Sequence, residues 1–596
     1  MINLQVLRSK NPGIISYGVH KGIIQSILDY DVLLGRRQPS IIGIISSTKA
    51  YERFFFGKKE ILIPVFSSIR HAESIKDRIT LFMNVSSARR VLASTEELLT
   101  YFPQLLGGVI FAEDVPEKQA LELELLSQKH KKWIMGPASV GILIPGHIKL
   151  GAIGGIDYRQ LVSSQLLTAG NVAVFSASGG MTNEIIRIVT GNGKRISFSL
   201  HFGGDRFPII QPKDAFLLAE SDSQTEVIVY YGELGGFDEY EIAELMKNKK
   251  ITKPVICYIA GTVSDLFETP PQFGHAKAMA EQKGESATDK KNALREVGAI
   301  VADSFGEFVE HITKISTTTR VEEKDYTTIM EDMQHRKPAL ITTSISKDFE
   351  GHAMVLQEDL LTFAKSHSFA YEVASMFLGK KIASKELEEF VDFVLRILVD
   401  HGPYVSGAVN TIITARAGRD LVSSLATGIL TIGPRFGGAI NEAARNWLNG
   451  NKGEKSPHEF VEEFAKQKKY ISGIGHKKYR ADFPDPRVEE LLLFTQKLEK
   501  KQFTLFAKEV EKITTAKKGN LILNVDGTIA AVLLDILHEK EGMTFSELEK
   551  LVDVEFFNAL FVLSRSVGFI SHFIDQKRLD EGLFRLDEDL VAEAEL

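Results

Sequence analysis

The stretch that decides the fold is Asn171-Val-Ala-Val-Phe-Ser-Ala-Ser-Gly-Gly-Met-Thr-Asn-Glu184. Asn171 to Ser176 is a short, continuous apolar run, as a buried strand requires. Ala177 to Glu184 then opens a helix through Ser178-Gly179-Gly180. In a strand–glycine turn–helix unit the first backbone N–H groups of the helix point at one spot, and glycine lets an anion approach closely. A phosphate or carboxylate suits that cradle. The pattern repeats downstream. Ile196 to Phe202 runs into Gly203-Gly-Asp-Arg206, Thr225 to Tyr231 into Gly232-Glu-Leu-Gly-Gly236, and Pro254 to Ala260 into Gly261-Thr262. A parallel sheet whose strand ends all carry glycine turns is far more specific than any one loop.

Working backward, Gly13 to Gly18, Ser40 to Ser46, Glu60 to Val65, Ile79 to Val85 and Gly107 to Phe111 read as further strands with helical segments between them. This predicts a first, Rossmann-like sheet over residues 1–160 and a second, flavodoxin-like one over 161–315. Glu113 falls at the C-terminal end of one strand, where such sheets bind ligands; a helix N-terminal acid is its plain alternative. Gly18, before a helix at Lys21 to Asp29, reads equally as a nucleotide or CoA turn and as a structural one, because no full GxGxxG occurs.

Working forward, His275 stands between Gly274 and Ala276 in Pro271-Gln-Phe-Gly-His-Ala-Lys-Ala278, after a Thr-Pro-Pro turn. Small neighbours leave the imidazole open to two reactants, which suits a nucleophile that accepts a group and passes it on. Glu233 lies in the preceding loop, and a carboxylate beside an imidazole fixes its tautomer. Beyond Thr313 the chain turns polar, and 316–340 reads as a linker. Residues 341–596 then read as an all-α domain, with helical periodicity at Lys385 to Val399, Ser456 to Lys466 and Val488 to Leu498. Three interruptions carry chemistry: His401 in Val399-Asp-His-Gly-Pro, His476 in Gly473-Ile-Gly-His, and Asp526 in Leu523-Asn-Val-Asp-Gly. Two imidazoles and one carboxylate are sufficient for enolate chemistry.

The totals bound the class. At 596 residues, 44% apolar and 25% charged, the chain is an ordinary multidomain globular protein. With 71 basic and 78 acidic side chains it has no polycationic character for nucleic acid. Cys257 is the single cysteine, which excludes intrachain disulfides and CxxC zinc sites. No apolar run approaches a membrane span, and Met1 to Lys10 has no signal-peptide pattern, so a cytoplasmic protein without membrane or metal is expected.

The motifs resemble two known families in tandem. Ser178-Gly-Gly180, Gly203-Gly-Asp-Arg206, Gly232-Glu-Leu-Gly-Gly236 and Gln272-Phe-Gly-His275 are similar to the α-subunit of succinyl-CoA ligases and, more closely, to the matching region of ATP-citrate lyases. There the histidine is phosphorylated by ATP, the glutamate steadies the phosphohistidine, and the Ser-Gly-Gly turn helps hold citrate and phosphate. The resemblance implies these roles for His275, Glu233 and Ser178 with Gly179 and Gly180, and a part in the phosphorylated-citrate steps for Glu113. The C-terminal trio resembles the HEGG, GxGH and NVD motifs of citrate synthases. Arg487, Arg565 and Arg585 match that family's oxaloacetate-binding arginines, the last reaching across a dimer.

Phe436, in Gly433-Pro-Arg-Phe-Gly-Gly438, replaces a synthase histidine, and Gly402-Pro403 replaces Glu-Gly. Both departures agree with the citrate lyase branch, whereas Lys477 stands where that branch often has arginine. The implied reaction is ATP-dependent cleavage of citrate with CoA to acetyl-CoA and oxaloacetate, through phosphohistidine, citryl-phosphate and citryl-CoA. His476 would take the citryl hydroxyl proton, His401 would steady the enolate and Asp526 would protonate carbon, with the roles of His476 and Asp526 exchangeable. No ATP-grasp pattern is seen, so ATP and Mg are expected on a partner β-subunit, with a homodimer or tetramer through the helical domain. A citryl-CoA synthetase, a citrate synthase with an added ligase-like domain and a CoA-binding scaffold are the alternatives.

Overall fold

The computed structural model describes residues 2–9, 11–47, 49–267, 278–280, 284–316, 324–349, 351–433, 437–453 and 455–594. The chain forms two units, Met1–Leu340 and Ile341–Leu596.

The first unit is built on two seven-stranded sheets. In the first, β1 (Ile14–Tyr17), β2 (Ile41–Ile45), β3 (Tyr51–Phe56), β4 (Lys59–Phe66), β5 (Leu81–Asn84), β6 (Gly107–Ile110) and β7 (Trp133–Met135) lie in the order β3-β4-β2-β1-β5-β6-β7. All neighbours are parallel except the edge pair β3–β4. The apolar runs form the central strands because helices cover both faces. β3 escapes the reading because its burial alternates, Tyr51 and Arg53 facing out while Glu52 and Phe54 face in.

The second sheet contains β8 (Gly141–Ile144), β9 (Ile148–Gly151), β10 (Val172–Ser176), β11 (Ile196–His201), β12 (Val227–Glu233), β13 (Val255–Ala260) and β14 (Ile300–Val301), in the order β14-β13-β12-β10-β11-β8-β9. β10 to β14 are parallel, and the β8–β9 hairpin adds antiparallel to β11. The boundary expected at residue 160 therefore lies earlier: residues 141–151 already pair into the second sheet. A tilted aromatic group, Phe175, Phe198, Phe216 and Tyr230, packs under the helix Pro212–Ser221, with ring centroids 5.3 to 5.8 Å apart.

The described part of 316–340 is not a free linker. The helix Thr327–Gln334 buries Met333, Tyr326 and Ile329 pack on the second sheet's core, and Arg336 pairs with the buried Asp29 at 2.6 Å. Its polar sequence hides this because the anchors are single residues spaced along one face.

The second unit is helical but not all-α. A three-stranded antiparallel sheet, Ser346–Phe349, His352–Val355 and Glu358–Asp359, precedes the helices. Its strands are too short and too polar to announce themselves. At the centre lies the helix Val525–Glu539, buried at every position from Gly527 to Leu537 and packed by Ala439–Lys452, Gln502–Lys517 and Pro486–Leu493. A helix apolar around its whole circumference belongs inside a bundle. The 24-residue helix Phe556–Leu579 departs from the expectation that no apolar run approaches a membrane span, being long and apolar enough by composition. Phe556, Phe557, Leu560 and Phe561 nevertheless lie in the helical core, and Arg565 is buried beside them.

Candidate functional site

Each unit gathers one group of the expected residues. In the first, β10 ends at Ser176, whose Oγ accepts the Ser178 N–H at 2.9 Å. Ser178 is the N-cap of the helix Gly179–Gly191, its hydroxyl accepting from the Met181 N–H. The two glycines differ in purpose. A Cβ on Gly179 would stand 2.8 Å from Val140 Cγ1, whereas one on Gly180 would meet nothing within 4 Å. Gly179 permits packing; Gly180 keeps the cradle open.

His201, at the end of β11, is buried and braces this turn. Its Nδ1 accepts the Val140 N–H at 3.0 Å, so Nε2 carries the proton and donates to the Ala177 carbonyl at 3.0 Å. Gly203 has φ +130° and passes so close to Pro137 that a Cβ would lie 2.0 Å from its carbonyl oxygen. Asp205 accepts the Val115 N–H at 3.4 Å, and Arg206 pairs with Glu117 at 3.3 Å. The loop holding Glu113 thus meets the Gly203–Arg206 turn. Glu113 is exposed; burial raises the Asp205 carboxyl above its usual range, and the charges of Asp114 and Glu113 add to the rise.

Glu233 closes β12, level with Ala260 of β13. One pocket is lined by Ala177, Phe202, Gly203, Tyr230, Glu233, Gly235, Glu239 and Lys290. Ala177, just ahead of the Ser-Gly-Gly turn, therefore meets the Gly203 turn and the Glu233 turn. His275 lies outside the described residues. Sequence reasoning missed Lys290, Glu239, Tyr230 and His201, for a buried lysine in a polar helix carries no local signal.

In the second unit His401, His476, Asp526, Arg487 and Arg565 come together. The loop at His476 and the start of the Asp526 helix are bound as one piece. Asn524 caps the helix, accepting the Gly527 N–H at 3.0 Å, and its Nδ2 donates to the Gly475 carbonyl at 3.0 Å. Gly473 and Gly527 cross so closely that a Cβ on Gly527 would lie 2.4 Å from the Gly473 oxygen. His476 Nδ1 accepts two backbone N–H groups, from Lys478 and Tyr479, each at 3.0 Å. With that lone pair occupied, Nε2 carries the proton. Partial burial, then Arg487 and Lys478, hold this imidazole below its usual range, with Asp485 opposing.

The Arg487 guanidinium is held bidentately by the buried Asp485, at 3.0 and 2.7 Å, and offers a third N–H to His401 Nδ1 at 3.3 Å. Since guanidinium only donates, Nδ1 of His401 accepts and Nε2 bears the proton. Partial burial with Arg487 and Arg565 nearby lowers this imidazole as well. The loop is pinned from behind by Asp400, which accepts the Gly402 N–H at 2.9 Å and meets His572 at 3.2 Å. Asp526 is pushed up to about 6 by burial, against the pull of Arg487 and Arg565.

Arg565 is 4% exposed, packs over Phe561, and leaves Nε and one terminal nitrogen without a hydrogen-bond partner. A buried guanidinium with unused donors near the His401 imidazole and Asp526 is suited to receive a carboxylate. Arg585 is not brought to this site: it is exposed in a tail whose neighbours Gly582 and Phe584 lie against Arg416. Phe436 lies outside the described residues.

Comparison with known proteins finds both kinds of family in this chain. Residues 175–300 match the CoA-ligase family and 239–586 the citrate synthase C-terminal domain family. A probable ATP-citrate synthase subunit 1 of Schizosaccharomyces pombe is 36% identical, over 97% of each chain. A probable ATP-citrate synthase of Caenorhabditis elegans is 38% identical over 96% of this chain, which spans 53% of that relative. A solved structure of Methanosaeta concilii ATP citrate lyase, a mutant in complex with (3S)-citryl-CoA, is 34% identical, with TM-score 0.51 and coverage of 98% and 97%. Fold and sites define a CoA-ligase-like unit joined to a citrate-synthase-like one. The chain belongs to the ATP-citrate synthase family, whose members are also called ATP citrate lyases.

Proposed function

We propose that this chain, with an ATP-grasp-bearing partner subunit supplying ATP and Mg, cleaves citrate with CoA to acetyl-CoA and oxaloacetate. The observation that carries the reading is the second-unit site, where two proton-bearing imidazoles and a high-pKa carboxylate gather with Arg487 and with Arg565, whose donors are unused. In the first unit His275 takes the γ-phosphoryl group of ATP, releasing ADP, Glu233 steadies the phosphohistidine, and a citrate carboxylate accepts the phosphoryl group at the Ser178–Gly180 cradle, freeing His275. The citryl-phosphate carbonyl is then attacked by the CoA thiol and phosphate leaves, giving citryl-CoA. The turn at Gly18 and the N-terminus of the helix Lys21–Leu33 suit the phosphates of CoA.

In the second unit Arg487 and Arg565 clamp the carboxylates of the oxaloacetate half. The ring geometry favours Asp526 over His476 as the base, because His476 Nδ1 is engaged by two backbone N–H groups and Nε2 already bears a proton. Asp526 takes the citryl hydroxyl proton, and the oxygen forms the ketone of oxaloacetate as the carbon–carbon bond breaks. The bond's electron pair moves into a thioester enolate. His401 donates from Nε2 to the enolate oxygen, His476 donates to the departing ketone, and Asp526 returns its proton to the acetyl carbon. Arg585 completes this site in a second copy of the chain. The exposed apolar side chains Tyr404, Val422 and Leu430 on adjoining helical segments support such a homo-oligomer.

The test is co-expression with an ATP-grasp partner, followed by assay of ATP-, CoA- and citrate-dependent oxaloacetate release and of acid-labile phosphate on the chain. Absence of oxaloacetate from a pair that binds ATP and citrate sinks the proposal.

A further inference from the structure

Behind the Glu233 turn sits an ionic network that the proposed chemistry does not use. Lys290, on the helix Ala287–Glu296, is 1% exposed. Its ammonium group donates to the Glu233 carbonyl at 2.9 Å and the Gly235 carbonyl at 2.6 Å, and pairs by charge with Oε2 of the Glu239 carboxylate at 2.6 Å, although that oxygen accepts no hydrogen bond. Glu239 is itself buried and accepts from the Tyr230 hydroxyl at 2.8 Å. The same turn is gripped once more from the chain just ahead of that helix, where the Glu285 carbonyl accepts the Gly235 N–H at 2.9 Å.

Burying an ammonium and a carboxylate is costly unless each is fully paired, and an apolar pair of similar volume would serve stability as well. The network is therefore poor value as a mere fastening. What it does uniquely is fix two backbone carbonyls on either side of Leu234, with Gly235 held at φ +86°. A neutral apolar side chain could not do that. The charge of Lys290 is met by Glu239 and by two carbonyls, although it borders the pocket shared by the Glu233 and Gly203 turns.

We propose that Lys290 is a positioning residue for phosphoryl transfer. It sets the Glu233 turn, and with it the direction of the Glu233 carboxylate, while Glu239 and Tyr230 hold the ammonium in place. The inference rests on the function proposed above for the first unit.

The experiment uses the full chain with its ATP-grasp partner and two variants. Lys290→Met removes the three donors at nearly constant volume. Lys290→Met combined with Glu239→Gln also removes the buried carboxylate left unpaired, which protects folding. Uptake of label from γ-labelled ATP, steady-state citrate cleavage, cleavage of supplied citryl-CoA and melting temperature are measured on each. Positioning by Lys290 predicts that the double variant regains its melting temperature. It also predicts that phosphorylation rate and kcat for citrate stay about ten- to a hundredfold low, the range for a misplaced catalytic group. KM for citrate stays within about twofold, and supplied citryl-CoA is cleaved at the wild-type rate. Recovery of the phosphorylation rate together with melting temperature in the double variant makes the role structural and overturns the inference. So does wild-type phosphorylation by folded Lys290→Met. A wild-type pair that takes up no label overturns the proposed function instead.

Discussion

The two sites of this protein are built from opposite materials. The site of the first unit is made of backbone: a capped helix N-terminus at Ser178, glycine turns at Gly203 and Gly235, and a lysine that holds two backbone carbonyls and pairs with a buried carboxylate. The site of the second unit is made of side chains, and one of them, Arg565, is buried with donors unused. A preformed anion cradle needs no stored charge, because the helix dipole and N–H groups are always in place. Under the proposed function the second site grips carboxylates, and Arg565 keeps two donors unpaired for them.

The sharpest break of that contrast is at Asp526. Asp526→Asn is expected to lower cleavage of supplied citryl-CoA by about a thousandfold, the range for loss of a general base, while leaving phosphorylation of the first unit intact. Equal loss of both half-reactions would show that the two sites are not separable. The pH dependence has a definite sign. The folded-state pKa of Asp526 is raised to about 6, so protonation below that value removes the base, and cleavage should fall as pH drops through about 6. For stability the sign is reversed. A raised pKa means stabilisation fully present below the unfolded-state value near 4 and lost as pH rises through about 6. Asp526→Asn should therefore melt higher than wild type at pH 7 to 8, by about 1–2 kcal/mol for this half-buried group, with the difference vanishing near pH 4.

A smaller effect is expected at Arg565. Arg565→Met should raise KM for citryl-CoA about a hundredfold, as loss of a buried charged contact does. The same change should leave melting temperature unchanged or higher, because an unpaired buried charge is exchanged for an apolar side chain. A matched fall in affinity and stability would mean the guanidinium is already paired in the empty protein, contradicting the contrast.

The smallest effects separate the two cradle glycines. Gly179→Ala forces a methyl against Val140 and should cost about 1–3 kcal/mol in denaturant unfolding. Gly180→Ala has open space and should leave stability within about 1 kcal/mol, or improve it, since alanine is the better helix residue. It should nonetheless weaken citrate binding, measured calorimetrically, because the methyl occupies the open side of the cradle. Equal behaviour of the two variants would remove the distinction.

The parts legible in the sequence share a physical character. Buried parallel strands are continuous apolar runs, and ligand turns at their ends need glycine, so β1, β2, β4 to β6 and β10 to β13 were marked together with Ser178, Gly203 and Glu233. His401, His476 and Asp526 were legible because each interrupts a helical pattern at a glycine. The illegible parts depend on partners far along the chain. β3 is an edge strand with alternating burial, the hairpin 141–151 is recruited by a distant sheet, and the segment at Arg336 is held by Asp29 some three hundred residues earlier. Lys290 has no local sign of burial, because it stands in a polar helix.

By itself the sequence determined two units of different class, the anion turns of one and the His-His-Asp group of the other, because local periodicity and glycine are set by the chain's own covalent geometry. Only the tertiary structure decided which charges are buried. It put Lys290 on two backbone carbonyls beside Glu239, left Arg565 with donors unspent and occupied His476 Nδ1 with backbone N–H groups. Burial and hydrogen-bond saturation are properties of what surrounds a residue, and those surroundings are assembled from segments hundreds of positions apart.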